Sequence, residues 1–119
     1  MKLESYTCLN SKIAVYVPST VNVNKKDEKA REKWIEKFSF LFSNLFGGCT
    51  AQKAVGSWIS EKQGLVKEDV TIIYAYATKD LIESNLGLIL DTVQSMCIDM
   101  SQDCISLEYN SKLYFVDKD

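Results

Sequence analysis

The 119-residue sequence contains no histidine. Catalytic triads and Cys–His pairs use histidine as their base, so both classes of nucleophilic catalysis are excluded. A zinc site would need thiolates and carboxylates alone, yet the four cysteines (Cys8, Cys49, Cys97 and Cys104) include no Cys-x-x-Cys pair. We therefore expect free thiols, no bound metal and no other cofactor.

Arginine is almost as scarce, because Arg31 is the only one. The 14 basic side chains are outnumbered by 16 acidic ones, which gives a net charge of −2. Binding to nucleic acid relies on clustered cations and on the bidentate arginine fork, so nucleic acid is not an expected partner. The segment Gly47-Gly48-Cys49-Thr50 lacks the Lys-Ser/Thr ending of a phosphate loop.

Long apolar runs are also missing. The run at 86–90 is short, whereas a membrane-spanning helix needs about 20 apolar residues. Residues 1–10 lack the basic flank and apolar core of a secretory signal. We expect a cytoplasmic protein without a membrane partner. The length is near the commonest domain size, so residues 1–119 are expected to form a single α+β domain.

Three strand pairs are indicated by alternating or β-branched segments around turn residues. The first joins Leu3–Leu9 to Ile13–Val17 through Asn10-Ser11, and Pro18 should end its second strand. The second joins Thr50–Ser60 to Val66–Ala77 through Glu61-Lys62-Gln63-Gly64, and the third joins Ile105–Tyr109 to Leu113–Val116 through Asn110-Ser111-Lys112.

Two amphipathic helices separate these pairs. Asn24 or Asp27 can cap the first, and Gly47-Gly48 should stop it. Thr78 should cap the second. Their apolar positions step by three and four: Ala30, Trp34, Phe38, Leu41, Phe42 and Leu45 in the first helix, and Ile82, Leu86, Ile89, Val93, Met96 and Met100 in the second.

The order ββ-α-ββ-α-ββ predicts an α+β fold in which two helices cover one face of an antiparallel sheet. Its inner βαββαβ part is that of a ferredoxin-like two-layer sandwich.

One candidate site combines uncharged polar side chains after Pro18 with aromatic residues of the central strand pair. Such groups suit a small polar ligand or a protein interface. Tyr74 belongs to the same set. The alternative is that most of these aromatic residues serve the sheet, because they are typical strand residues. The predicted ligand- or partner-binding residues are Ser19, Thr20, Asn22, Asn24, Trp58 and Tyr76.

Carboxylates offer a second reading of the central strand pair. Glu68 and Asp69 precede a strand, and Glu61 lies near the preceding turn. A pair of carboxylates can perform general acid and base catalysis. A solvated hairpin is the more common setting for such residues, so no catalytic residue is assigned.

Several short motifs resemble an uncharacterised ferredoxin-like family of small bacterial proteins. They are Gly48-Cys49-Thr50, Gly56-Ser57-Trp58, the strand Val70–Tyr76 and Gln102-Asp103-Cys104-Ile105, and together they span about two-thirds of the chain. Cys49 and Asp103 depart from the Leu and Glu of that family. The resemblance implies a fold and no activity. The chain also looks like accessory proteins carried by phages and plasmids.

Three hypotheses for the function follow. The first is a non-catalytic binding module, not an enzyme, which acts for a mobile element in counter-defence by capturing a small polar ligand or a host protein. The second is a small metal-independent enzyme that uses carboxylates or Cys49. The third is a structural homodimer subunit. A homo-oligomer is expected because the second helix is apolar beyond a single stripe.

Overall fold

The computed structural model describes residues 2–21 and 25–119. A 3₁₀ turn, Leu3–Ser5, precedes the first strand. The strands are β1 (Ser11–Pro18), β2 (Thr20–Val21), β3 (Lys25–Lys26), β4 (Thr50–Ser60), β5 (Gly64–Ala77), β6 (Cys104–Tyr109) and β7 (Lys112–Asp117). The helices are α1 (Glu28–Phe46), α2 (Lys79–Ser84) and α3 (Leu86–Asp99).

Five strands form one antiparallel sheet in the order β4-β5-β1-β6-β7. The second sheet of the described residues is a two-residue pairing of β2 with β3. Within the large sheet, β1 is central, and its residues Ile13, Ala14 and Val15 are completely buried. The fold is therefore α+β with an antiparallel sheet.

The helices share one face of the sheet. Alternate β1 residues, Ile13, Val15 and Val17, belong to the same buried cluster as residues of α1, α2 and α3. Side chains alternate between the faces of a strand, so Tyr16 lies on the opposite face, together with the residues that pair with it. The large apolar side chains of this cluster include Trp34, Phe38, Phe42, Ile82, Ile89, Val93 and Met96.

Local sequence signals set most helix ends. Asp27 is the cap of α1 and accepts a hydrogen bond from the Ala30 amide at 3.0 Å. Gly47 ends that helix with φ +85°, a left-handed conformation that glycine adopts at low cost. Thr78 caps α2 by accepting from the Leu81 amide. These three interactions confirm the predicted caps, whereas Asn24 lies outside the described residues.

The first predicted strand is wrong. Residues 6–10 form no strand, and Leu3, Tyr6 and Leu9 are exposed. The reason is that β5 and β6 occupy both edges of β1, so a strand from residues 3–9 has no place beside it. The expected ββ unit before the first helix is therefore not formed in the large sheet.

The second helix is divided, which also differs from expectation. Asn85 separates α2 from α3, and its side-chain nitrogen donates to the Leu81 carbonyl oxygen at 2.8 Å. Asparagine competes with the helix backbone for such hydrogen bonds, which explains the break. The apolar stripe nevertheless continues across it, since Ile82 and Ile89 are both fully buried.

A polar contact joins α1 to the end of α3. The Trp34 indole nitrogen donates to the Asp99 carboxylate at 2.7 Å, and Lys33 donates to the same oxygen at 3.2 Å. These hydrogen bonds, with that to Trp34 first, lower the pKa of Asp99. In the described ranges, no helix is long and apolar enough to cross a membrane.

We expect Ile89→Asp to destabilise the protein by more than about 3 kcal/mol, because an unpaired carboxylate would be buried in the core. Leu88→Asp is the matched control, since Leu88 is 51% exposed on the same helix and should change stability by no more than about 0.5 kcal/mol. Urea unfolding measures both. Equal stability of the two variants would contradict the assignment of the buried face.

Candidate functional site

The site begins where β1 ends. Pro18 is paired with Val70, and proline lacks the N–H needed to continue the ladder. The chain then turns into Ser19 and Thr20. Beyond Val70, residues 64–69 of β5 pair with β4 alone. The hairpin formed by residues 55–69, here called the arm, thus extends past the sheet and leaves one edge of β5 uncovered by β1.

Two cavities lie at the base of this arm. The first has a volume of about 200 Å³ and is lined by Tyr16, Pro18, Gly56, Trp58, Glu68, Val70, Gln102, Cys104, Ile105 and Ser106. The second has a volume of about 220 Å³ and is lined by Ser19, Thr20, Lys26, Val55, Trp58, Val66, Lys67, Glu68 and Asp69. Trp58 and Glu68 line both cavities and form their common wall.

Strand register explains the space above Glu68. Gly56 is the residue of β4 that pairs with Glu68, and it carries no side chain. A Cβ at that position would approach only the Glu68 carbonyl oxygen, at 3.8 Å. A glycine inside a strand often marks the close approach of a ligand or a backbone. A larger residue at position 56 would therefore occupy the first cavity.

A chain of hydrogen bonds holds Glu68 in position. The Thr20 hydroxyl donates to the Glu68 carboxylate at 3.0 Å. The Gln102 side chain donates to the Thr20 carbonyl oxygen at 2.7 Å and to the Met100 carbonyl oxygen at 3.1 Å. Gln102, which follows α3, thereby fixes the backbone at Thr20, and Thr20 in turn fixes the Glu68 carboxylate. Although this carboxylate lies at the end of the sheet, its orientation is determined by residues distant in sequence.

Tyr16 connects the first cavity to another carboxylate. Its hydroxyl donates to Glu108 at 3.4 Å, and Lys12 forms an ion pair with Glu108 at 3.7 Å. Burial raises the pKa of Tyr16, and the charge and hydrogen bond of Glu108 raise it further, against a smaller opposite effect of Lys12. The phenol is therefore neutral and remains a hydrogen-bond donor at physiological pH.

The residues predicted from the sequence are partly brought together. Ser19, Thr20 and Trp58 line the second cavity. Tyr76 does not line either cavity: it pairs with Lys12 at the other end of β5, and its ring packs edge-on against Tyr74 with centroids 6.1 Å apart. Asn22 and Asn24 lie outside the described residues. The assignment of these six residues as binding residues stays a prediction.

Sequence reasoning undervalued other residues. Glu68 was expected on a solvated hairpin, yet it is the centre of the site. The sequence pattern also gives no sign that the first cavity is lined by Tyr16, Gln102 and Cys104. The available signal was Gly56 inside an otherwise regular strand, because it marks open space on one face. No group of three potential metal-ligating side chains occurs in residues 2–21 and 25–119.

Known structures share this fold. A phage SAM (S-adenosylmethionine) lyase in complex with S-methyl-5'-thioadenosine matches with a TM-score of 0.65, covering 97% of this chain and 95% of that one at 14% identity. A phage SAM lyase in the apo state matches with a TM-score of 0.55, covering 91% and 89%, also at 14% identity. No protein-family model and no curated protein matches the sequence.

These neighbours correct the main functional hypothesis. The expectation of a non-catalytic binding module that is not an enzyme is wrong, because both matching structures are of an enzyme. Both neighbours are phage proteins, and the expected match to a ferredoxin-like bacterial family is not confirmed. The molecule bound in the first neighbour, S-methyl-5'-thioadenosine, is a small ligand.

We expect Glu108→Gln to lower the pKa of Tyr16, because the charge that opposes tyrosinate formation is removed while burial remains. Since the folded-state pKa is raised, the neutral phenol contributes stability below the pKa of an unfolded tyrosine, and this contribution is lost as the pH rises through the folded value. Titration of tyrosinate absorbance measures the shift, and Tyr16→Phe identifies the signal. An unchanged titration curve in Glu108→Gln would contradict the contact.

Proposed function

We propose that this chain is an enzyme that cleaves S-adenosylmethionine, or a closely related sulfonium nucleoside, and releases S-methyl-5'-thioadenosine. The observation that carries the proposal is the fold match over 97% of the chain to a SAM lyase in complex with S-methyl-5'-thioadenosine. The composition of the site is a second support, since it combines an oriented carboxylate with aromatic rings at a pair of cavities.

The substrate's sulfonium suits the aromatic residues. Trp58 and Tyr16 line the first cavity, and the face of an aromatic ring attracts a cation. Sulfur loses its positive charge as the bond breaks, so a carboxylate acting on sulfur alone would stabilise the bound substrate more than the transition state. We therefore assign Glu68 to the substrate's ammonium group, which keeps its charge, or to the acceptance of a proton.

The reaction balances without water. The bond between sulfur and the γ-carbon of the methionine part breaks, and both electrons go to sulfur, which leaves as a neutral thioether. As this bond breaks, either the substrate's own carboxylate oxygen attacks the γ-carbon and forms a lactone, or the Glu68 carboxylate accepts a proton from the β-carbon and a double bond forms between the β- and γ-carbons. A neutral thioether needs no general acid to leave, so a chain without histidine can perform this step.

We also infer a ferredoxin-like connectivity for the central part of the sheet. The segment from β1 to β6 runs strand, helix, two strands, helices, strand, and its strands lie in the order β4-β5-β1-β6. That chain order is the βαββαβ arrangement. In this inference β7 is an additional edge strand, and the cavities lie at the base of the arm.

A phage would benefit from this activity. Both matching structures are of phage proteins. An enzyme that consumes S-adenosylmethionine would deprive methyltransferases of the host of their methyl donor. The counter-defence role predicted from the sequence would then be fulfilled by destroying a metabolite, and capture of a host protein would not be needed.

We expect the wild-type protein to convert S-adenosylmethionine into S-methyl-5'-thioadenosine and Glu68→Gln to do so at least about tenfold more slowly, equivalent to about 1.4 kcal/mol of transition-state stabilisation. Chromatography quantifies the nucleoside, and mass spectrometry of the four-carbon product separates lactone formation from elimination.

Glu61→Gln is the matched control for this experiment, because Glu61 is exposed on the turn of the arm and lines neither cavity. Its rate should equal that of the wild type. If the wild type released no S-methyl-5'-thioadenosine, the proposed function would be wrong. If Glu68→Gln kept the full rate, the role given to Glu68 would be wrong.

We expect a dimer or larger oligomer at micromolar concentration. An isolated two-stranded hairpin is only marginally stable in water. The arm nevertheless exposes Val55, Ile59 and Leu65 at 62%, 76% and 59%. A second copy that covers this surface would bury them, so Ile59→Glu should shift light scattering towards the monomer. Phe40→Glu, at a 71% exposed site on α1, is the control. A monomeric wild type would contradict self-association.

A further inference from the structure

The sizes of the two cavities constrain what can bind. Their volumes are about 200 and 220 Å³. Pockets for small molecules usually start at about 300 Å³. Neither cavity alone reaches that size, so a nucleoside with an amino-acid chain has to extend into both. The common wall of Trp58 and Glu68 is the point at which such a molecule would pass from one cavity to the other.

The linings of the two cavities differ in chemistry. Apolar and aromatic groups contribute most to the first cavity, including Tyr16, Pro18, Trp58 and Val70. Such walls suit a purine ring, which stacks on aromatic side chains. Charged groups are concentrated in the second cavity, and they are Lys26, Lys67, Glu68 and Asp69. Side chains alternate along β5, so Lys67 and Asp69 point away from Glu68. Lys26 pairs with Thr20, whose hydroxyl contacts Glu68, so Lys26 and Glu68 offer the two opposite charges that an α-amino acid needs.

Ser19 provides an independent observation. This residue lines the second cavity, is only 1% exposed, and its hydroxyl has no hydrogen-bond partner among the described residues. Buried hydroxyl groups in native proteins nearly always have a partner, because an unpaired one is unfavourable. A ligand oxygen in the second cavity would supply the missing partner once the Ser19 side chain turns towards the cavity, because the oxygen has almost no accessible surface in this structure. Thr20, by contrast, already donates to Glu68.

We propose that the second cavity is the subsite for the α-amino-acid end of the substrate. Its carboxylate lies against Lys26 and the Ser19 hydroxyl, and its ammonium faces the carboxylate of Glu68. This inference rests on the proposed function and adds the substrate's orientation: the nucleoside occupies the first cavity and the sulfonium lies at the wall formed by Trp58 and Glu68. The subsite selects substrates that carry a complete amino-acid group.

Two unreactive ligands separate the subsites. S-adenosylhomocysteine carries the amino-acid chain, S-methyl-5'-thioadenosine lacks it, and sulfur is a neutral thioether in both. Calorimetry should show that Lys26→Met binds S-adenosylhomocysteine at least about tenfold more weakly, a loss of about 1.4 kcal/mol, because the cation for the ligand's carboxylate is removed. Its binding of S-methyl-5'-thioadenosine should stay within about twofold of the wild type. Ser19→Ala should also lower the affinity for S-adenosylhomocysteine selectively, by a smaller factor.

Lys62→Met is the control, because Lys62 lies on the turn of the arm and outside both cavities. Thermal melting verifies that each variant is folded. An equal loss of affinity for both ligands, or no loss of affinity for S-adenosylhomocysteine, would overturn the subsite. In either case, turnover of S-adenosylmethionine by the wild type would leave the proposed function standing. If the wild type neither bound these nucleosides nor turned over S-adenosylmethionine, both proposals would fail. A selective loss for S-adenosylhomocysteine supports the subsite.

Discussion

The end of β1 at Pro18 is the constraint on which the candidate site depends. If the ladder between β1 and β5 continued past Val70, another stretch of β1 would cover the edge of β5 where the cavities now lie. Proline removes the donor that this continuation needs, so the chain turns away at Ser19. The arm then stands beyond the sheet. One residue thereby ends a strand, exposes an edge and places Ser19 and Thr20 opposite Glu68.

Interactions between residues close in sequence were predictable. The cap at Asp27, the helix stop at Gly47 and the cap at Thr78 each involve groups within about one helical turn. The β4–β5 and β6–β7 hairpins also have neighbouring partners and visible turns, and the observed strands agree with the expected ones within two residues at most positions. Side-chain chemistry and spacing determine such elements, so a single sequence contains the necessary information.

Interactions between distant residues were less accessible. Alternation in residues 3–9 looks like a strand, but nothing in that segment shows that β5 and β6 already flank β1. The role of Glu68 was inaccessible for the same reason, because it depends on residues distant in sequence. Its hydroxyl partner, Thr20, is 48 positions away, and the open space above it depends on its register with Gly56. Charge and strand position alone describe a solvated carboxylate, whereas the assembled sheet gives it neighbours and a fixed orientation.

The same geometry connects the chain's composition with its proposed chemistry. A sulfonium substrate contains its own leaving group, so under the proposed function the protein has to orient the reacting atoms and exclude side reactions, and it does not have to provide a strong acid. Orientation needs fixed groups at both ends of the molecule. Gln102 holds the Thr20 backbone, Thr20 holds Glu68, and Trp58 completes the wall between the cavities. A sequence with no histidine can therefore support catalysis through a site whose individual residues carry no recognisable catalytic motif.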